Sequence, residues 1–441
     1  MQLSAHAVGR TLDRARGACH NSSMTDDSER DVPTERPQLV IEIEEFVRAV
    51  DGLADTLPLI ATLLAGARKN FATELEAFEK QHATQVKVEA GRRYVTVPSE
   101  QVWTLKKLTR RRQKATLAER TVPRSFVVSL VSLYDAFLGT LLRELFLMQP
   151  ALLTSSERTL TFAQLSQFAS LEDAKRHVLE KEIESVLRES HEAQFDWMET
   201  KFKVELRKGL ESWPTFIELT ERRNLFVHTG GVVSQQYIQV CRKHHISLPD
   251  DVVLGRQLSV PRTYFDSAYK CVVEIAVKLA HVLWRKVRPD DREEADDALN
   301  MTCYEFLQDE KYDLVRRLLD FATETLKKFS NEQARRFLVL NRAQTYKWMG
   351  NQARALEVLD GEDWSASSDL LQLGEAAVRD QFDRVLTLMR RLGPTGMEKS
   401  DFRDWPILRE VRKRPEVIAE FEKIYGEPLE LPTTVAQTPP A

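Results

Sequence analysis

Three side chains near the middle of the chain have the types and the spacing needed for acid–base chemistry on a phosphate group. Arg223 and Asn224 are adjacent, and four residues separate Arg223 from His228. A histidine titrates near neutral pH and can take up or release a proton. The planar guanidinium of an arginine matches phosphate oxygens. On a helix Asn224 and His228 lie on one face, with Arg223 about 100° to one side, so all three can serve one site.

The element that must position these side chains is a helix that ends with them. Gly230-Gly231 follows the motif directly and is typical of a helix C-terminus, where glycine adopts the left-handed conformation. This position also has a purely structural explanation, because the helix macrodipole favours cations in the last turn. That explanation would account for Arg223 and His228 without catalysis, and both interpretations stay open.

The wider context is a predicted bundle of four long helices, each with one apolar face. Pro214 is expected to break or kink the third helix, and the long connection 232–260 is expected to be partly structured, with a short strand near Gln257 to Val260. Helices of this kind, close together in sequence, predict a helix bundle. Their approximate ranges are 124–148, 171–190, 193–228 and 261–287.

The pattern Arg223-Asn224-x3-His228, at the end of a helix and inside four predicted helices, resembles the signature of HEPN domains (higher eukaryotes and prokaryotes nucleotide-binding). That signature is an arginine, four to six residues and a histidine, often with Asn, Asp or His directly after the arginine. The resemblance covers residues 122–290, which is less than half of the chain. It implies a four-helix HEPN-like bundle.

The resemblance also implies an activity, that of a metal-independent endoribonuclease in which two bundles pair about a two-fold axis. Cleavage by 2′-hydroxyl transesterification requires a base, an acid and positive charge on the phosphorane. His228 would be the base or the acid, Arg223 would bind the phosphate, and Asn224 would orient one of them; Arg222 is the second choice for the phosphate contact. A homodimer would supply both acid and base, and neither a cofactor nor a metal is expected.

A second predicted RNA contact is a basic run at the start of the bundle region. Residues 101–124 contain eight Lys or Arg side chains and a single acidic residue, Glu119. Such a cluster can bind a nucleic-acid backbone, although charge runs are more often solvated helix faces. The residues expected to contact RNA are Lys106, Lys107, Arg110, Arg111, Arg112 and Lys114.

The C-terminal third is predicted to form helical hairpins. Ala343, Tyr346, Gly350 and Ala355 have the spacing of a tetratricopeptide repeat (TPR), in which small residues let two helices approach closely. The copies are degenerate, so an ordinary irregular helical domain is the alternative. A TPR-like region would bind a protein partner rather than perform chemistry.

The predicted fold class is therefore mainly α, with a small β-hairpin near 84–97 where Val86, Val88 and Tyr94 alternate with polar residues. Met24 offers a second start for translation. The predicted organisation is a disordered tail at 1–37, an N-terminal helical segment at 38–121, the bundle at 122–290, the repeats at 296–426, and a disordered tail at 427–441.

The composition of the chain and the motifs that it lacks narrow the classes of protein to which it can belong. Among 441 residues the net charge is −4, which disfavours a protein coated in positive charge. The four cysteines are far apart, which disfavours a disulfide framework or a cysteine zinc site. The absence of phosphate-binding glycine motifs disfavours kinase and dinucleotide-binding folds. No uncharged run is long enough to span a bilayer, so we expect a cytoplasmic protein that binds no membrane.

Three functions are compatible with these patterns. The leading prediction is a HEPN-type endoribonuclease, similar to toxins or antiviral defence effectors and regulated through its repeats. The second is a non-catalytic HEPN and TPR-like protein-interaction module. The third is a nucleotide-binding sensor that depends on Arg223.

Overall fold

A computed structural model describes residues 36–89, 92–155 and 159–429 of the chain. Its secondary structure is mainly helical, with one small antiparallel sheet of two strands, which confirms the predicted mainly α class and the β-hairpin. The chain divides into two units, one over residues 38–289 and the other from residue 290 onward. Both predicted tails lie almost wholly outside the described residues.

The first unit begins with two long antiparallel helices, α1 (Gln38–His82) and α2 (Val102–Met148). Their pairing is visible at both ends, since Phe46 stacks on Phe137 at 4.5 Å between ring centroids and Arg111 lies 3.0 Å from a carboxylate oxygen of Glu74. Pro58 lies inside α1, so the helix continues through it and no second helix begins there. Helix α2 runs through residues 121 and 122, so the predicted N-terminal segment and the bundle share one helix.

Strands β1 (Gln85–Glu89) and β2 (Arg92–Thr96) connect these two helices as a hairpin. Their register pairs Gln85 with Thr96 and Lys87 with Tyr94. Residues 90 and 91, between the two strands of the predicted hairpin, lie outside the described residues.

The rest of the first unit surrounds α2 with shorter helices. The predicted third helix is two helices, because the chain turns at Lys203 (φ 52°) and resumes at Trp213. Pro214 therefore stands in the first turn of a new helix, where its missing N–H costs nothing. The ranges are α3 (Phe162–Leu165), α4 (Leu171–Arg188), α5 (His191–Phe202), α6 (Trp213–His228), α7 (Gln235–Lys243) and α8 (Arg262–Val287).

The long connection between α6 and α8 is ordered around its own small core. It contains α7 and an isolated β-bridge between Val232 and Gln257, so the predicted strand is reduced to this bridge. Tyr237 and Cys241 of α7 are fully buried against Leu225 of α6. This packing fixes the chain directly after the Arg223 motif.

The second unit is a series of paired helices. Helix α14 is interrupted at Gly393, where the backbone leaves the helical conformation. The ranges are α9 (Arg292–Gln308), α10 (Tyr312–Asp320), α11 (Glu332–Trp348), α12 (Gln352–Asp360), α13 (Asp369–Val378), α14 (Phe382–Gly396), α15 (Lys399–Asp404) and α16 (Pro415–Tyr425).

Three of its helical hairpins close with the same turn. The middle residue is left-handed in each, at Glu310 (φ 58°), Gly350 (φ 80°) and Asp380 (φ 59°). In each turn the N–H of the next residue donates at 2.9 Å to a carbonyl five residues earlier, a C-terminal capping bond. Ala343 and Ala355, the small residues of the predicted repeat, are fully buried. The paired helices are thus observed, and the TPR class stays an interpretation.

Two described helices are long and apolar enough to cross a membrane by length and composition. They are α1 and the segment Ser99–Met148, which contains α2. In Ser99–Met148 half of the most apolar 18-residue stretch is buried, as in the core of a soluble protein. In α1 only 11% of the corresponding stretch is buried. The fold is compatible with a soluble protein, and the cytoplasmic location stays a prediction.

Candidate functional site

Helix α6 carries the Arg223 motif on its last two turns. Its inner face is anchored by buried Phe216, Leu219 and Leu225. The N–H groups of Thr229 and Gly231 both donate to the carbonyl of Leu225 at 2.9 Å, which ends the helix directly after His228. Gly231 is left-handed (φ 85°), and a Cβ there would lie 3.0 Å from the Phe226 ring, so glycine is required at this position.

Arg223 is held by a carboxylate from another helix. Its Nη2 donates to Oδ2 of Asp135 on α2, and its Nη1 donates to Oδ1 of Asn224 at 3.2 Å. The other oxygen of Asp135 lies 2.9 Å from Nε2 of His191, the first residue of α5. The side chains of Arg223 and Asp135 are 22% and 25% exposed, so this cluster reaches the surface. Asp135 therefore joins three helices through one carboxylate.

Asn224 belongs to the same cluster. Its amide hydrogen-bonds the carboxylate of Glu221 one turn earlier. Burial raises the pKa of Glu221, while the nearby His191 and the bond from Asn224 oppose that rise. Asn224 is thus oriented by Arg223 and Glu221 and makes no hydrogen bond to His228 in the described part of the chain.

His228 is placed differently. It is the last residue of α6 and is exposed. Among the described residues no group hydrogen-bonds or ion-pairs with it, so its ring is open to solvent and to a ligand. It lies about 7.5 Å further along the helix axis than Arg223. The structure therefore places the predicted triad on one helix end, with two members in contact and the third beside them.

Arg222 lies in a separate, buried network. Its Nε donates to Oε1 of Glu218 at 2.7 Å, and its guanidinium lies 3.9 Å from the centroid of the Tyr264 ring. The hydroxyls of Tyr237 and Tyr264 donate to the two oxygens of Glu218 at 2.5 and 2.8 Å. Arg222 faces the protein interior here, and the structure does not bring it together with the other motif residues.

The basic run lies on the N-terminal half of α2, and all six predicted side chains are exposed. Arg111 pairs with Glu74 and stacks on Phe71, with 4.4 Å between its Cζ and the ring centroid. Lys107 lies over the ring of Trp103 at 5.2 Å. Lys106, Arg110, Arg112 and Lys114 form no ion pair with any described residue.

The motif pattern identified neither Asp135, nor His191, nor Glu221 as members of the cluster. A signal for Asp135 exists, because it is the first acid in the strongly apolar stretch that begins at Phe126. A buried or half-buried carboxylate requires a cation or hydrogen-bond donors. The pattern does not reveal which of the many cations in the chain provides them.

No three His, Cys, Asp or Glu side chains come together as a metal-binding group within the described residues. Comparisons of the chain with models of protein families, with curated proteins and with solved structures find no match.

Proposed function

We propose that this chain is a metal-independent endoribonuclease of the HEPN type. The observation that carries the proposal is the end of α6, where an exposed histidine without a described partner follows an arginine anchored by a carboxylate. This arrangement offers one imidazole that can give or take a proton beside a fixed positive charge. Asp135 and Asn224 keep Arg223 in place, so little reorganisation is needed when a phosphate binds.

The reaction requires one bond to form and one to break. The 2′-oxygen of a ribose attacks the adjacent phosphorus, a base takes the hydroxyl proton, and the bond to the 5′-oxygen breaks as an acid protonates that oxygen. His228 serves as base or acid, and Arg223 stabilises the negative phosphorane. One motif has a single exposed histidine, so a homodimer would contribute the second. The products are a 2′,3′-cyclic phosphate and a 5′-hydroxyl.

The test is cleavage of total RNA and of tRNA in EDTA by the purified full chain. We expect fragments ending in a cyclic phosphate, and we expect His228→Ala to reduce their formation at least 100-fold, the usual contribution of a general acid or base. His177→Ala is the matched control, since His177 is an exposed helical histidine of the same unit. Equal cleavage by wild type and His228→Ala would contradict the proposal.

A second candidate function is a non-catalytic interaction module, and one observation favours it. Arg223 is ion-paired with Asp135 and Arg222 with Glu218, so both arginines have structural roles that require no substrate. On this alternative the wild-type protein leaves RNA intact, and Arg223→Gln acts only through a lower melting temperature.

The helical pairs of the second unit would act as a TPR-like surface for a protein partner that regulates the first unit. The roles as a toxin or defence effector, and the cytoplasmic location, belong to the same proposal and rest on the resemblance. Isolation of the full chain with a bound protein, and loss of that complex on substitution of exposed residues of α11 to α14, would test the regulatory part.

A further inference from the structure

A stripe of four exposed side chains runs along the N-terminal half of α2. At 100° per residue, Trp103, Lys107, Arg110 and Lys114 fall within about 60° of one another on the helix surface. The buried residues of this stretch, which face α1, lie about 120° away. We call these four residues the outward stripe.

No acid of the described residues pairs with the cations of the outward stripe. Arg110 and Lys114 form no ion pair there, nor does Lys107, whose ammonium lies over the ring of Trp103. Arg111, on a neighbouring face, is neutralised by Glu74. Unpaired cations at neighbouring helical positions repel one another, so the outward stripe favours an anion with several charges in a row.

Trp103 adds a second property. Its side chain is 71% exposed, which is uncommon for so large an apolar residue. An exposed aromatic ring among basic side chains is the combination that binds single-stranded nucleic acid, because any unpaired base stacks on the ring while cations follow the phosphates. A base within a duplex is already stacked and paired, so a duplex cannot use this ring in the same way.

We infer that the outward stripe binds single-stranded RNA, with Trp103 stacking on a base and Lys107, Arg110 and Lys114 contacting phosphates. The inference rests on the proposed function, to which it adds the substrate class: an unpaired strand. It also assigns no RNA contact to Arg111 and Arg112. The basic run by itself does not distinguish these two arginines from the cations of the outward stripe.

The stripe is connected to the candidate site by the same helix. Further along α2, Arg124 donates to the carbonyl oxygens of Gly230 at 2.9 Å and Leu258 at 2.5 Å. Gly230 is two residues after His228. From Arg110 to Arg124 the helix rises about 21 Å, so a strand bound to the outward stripe needs only a few further nucleotides to reach His228.

An anionic membrane is the competing ligand for a basic surface. Amphipathic helices that lie on membranes separate a basic face from an apolar face. Here Trp103 lies on the same helix face as the cations, at the N-terminal end of their line, and Lys107 covers part of its ring. An aromatic ring on the basic face itself, rather than on a separate apolar face, favours nucleic acid.

Binding of a labelled twelve-nucleotide oligouridylate to the full chain, measured by fluorescence anisotropy, tests the inference. His228→Ala is the background, so that the probe is not cut. Trp103→Ala should weaken binding at least fivefold, as expected for one lost stacked base. The triple variant Lys107→Gln, Arg110→Gln, Lys114→Gln should lower the slope of log affinity against log salt by about 2, since each phosphate contact on a single strand contributes about 0.7.

The matched control is Arg112→Gln against Arg110→Gln. Both residues are exposed arginines of one helix, but they lie about 200° apart around it. Arg110→Gln should weaken binding severalfold, and Arg112→Gln should change it less than twofold. Circular dichroism of each variant should show unchanged helix content.

Three results would overturn the inference: equal losses for Arg110→Gln and Arg112→Gln, equal affinity for a duplex of the same length, or stripe-dependent binding to phosphatidylserine vesicles without binding to the oligonucleotide. The outcome is separable from the nuclease proposal. Stripe-dependent binding with no cleavage by the wild type would support the outward stripe and contradict the nuclease. RNA cleavage by the wild type, with unchanged oligonucleotide affinity in the stripe variants, would support the nuclease and contradict the outward stripe.

Discussion

Asp135 is the residue on which the candidate site depends most. Its carboxylate accepts from Arg223 and lies 2.9 Å from His191, so it links α2, α5 and α6. The side chains involved are mostly shielded but not fully buried. A charge in this position contributes both to stability and to the orientation of Arg223.

We therefore expect Asp135→Asn to lower the free energy of unfolding by about 1–2 kcal/mol, because two donors lose a charged acceptor and solvent screens part of the loss. RNA cleavage should fall further than stability explains, because Arg223 is no longer fixed. Urea denaturation and a cleavage assay at a temperature where both proteins are folded are the measurements. The control Asp266→Asn removes an exposed i,i+4 partner of Lys270 and should change stability by less than about 0.5 kcal/mol.

The buried side chain of His281 is expected to make the stability of the fold depend on pH. It is fully buried on α8, and neither ring nitrogen has a hydrogen-bond partner among the described residues. Burial, assisted by the positive charge of Arg285, lowers the pKa of His281 to about 3. The unfolded chain binds a proton here near pH 6.5, and the folded chain does not.

Stability should therefore fall as the pH drops below about 6.5, by up to about 1.4 kcal/mol per unit down to about pH 3, because only the unfolded state gains the proton. His281→Leu should remove this part of the pH dependence and leave stability at pH 8 unchanged or higher. Urea denaturation at pH 8, 6 and 5 measures the effect. The same slope in wild type and variant would show that other groups cause it; His177→Ala should keep the wild-type slope.

At the scale of elements, only some of the turns in the helical hairpins of the second unit can be recognised from their residue types. Gly350 marks its turn because glycine tolerates the left-handed conformation. Glu310 and Asp380 occupy the same position in equivalent turns without that signal. Their conformation is imposed by the helices on either side, so the recurrence of this turn is clear only in the folded chain.

Gly350→Ala should lower stability by about 1 kcal/mol, since a Cβ is disfavoured in this conformation. Glu310→Gly, at the equivalent position, should act in the opposite direction and raise stability by up to about 0.5 kcal/mol, with the loss of an exposed pair to Arg409 offsetting part of the gain. Urea denaturation followed by tryptophan fluorescence compares the two. A decrease for both would mean that backbone conformation does not control these turns.

The prolines of the first unit occupy two kinds of position in its helices. Pro58 and Pro123 lie inside long helices, and Pro214 begins one. A proline removes one backbone hydrogen bond and favours a helix boundary. In α1 and α2 the packing of the two helices along their length compensates for that loss, which the local pattern cannot indicate.

At the scale of the whole molecule, charge is divided unevenly. The chain has a net charge of −4, yet the outward stripe is a local surface of unpaired cations. Elsewhere arginines are often paired with acids, as Arg335 is with Glu332 and Glu362. An acidic protein with one basic stripe would bind nucleic acid at that place rather than over its whole surface.

The sequence by itself determined the features that depend on near neighbours: the helical segments, the β-hairpin, the end of α6 at Gly230-Gly231 and the turn at Gly350. These follow from hydrogen bonds and conformational preferences within about a dozen residues along the chain. The tertiary structure alone decided that Arg223 meets Asp135, 88 residues away, while Arg222 turns inward to Glu218. Helix geometry places adjacent side chains 100° apart, but only the packing of other helices determines which of them faces the core.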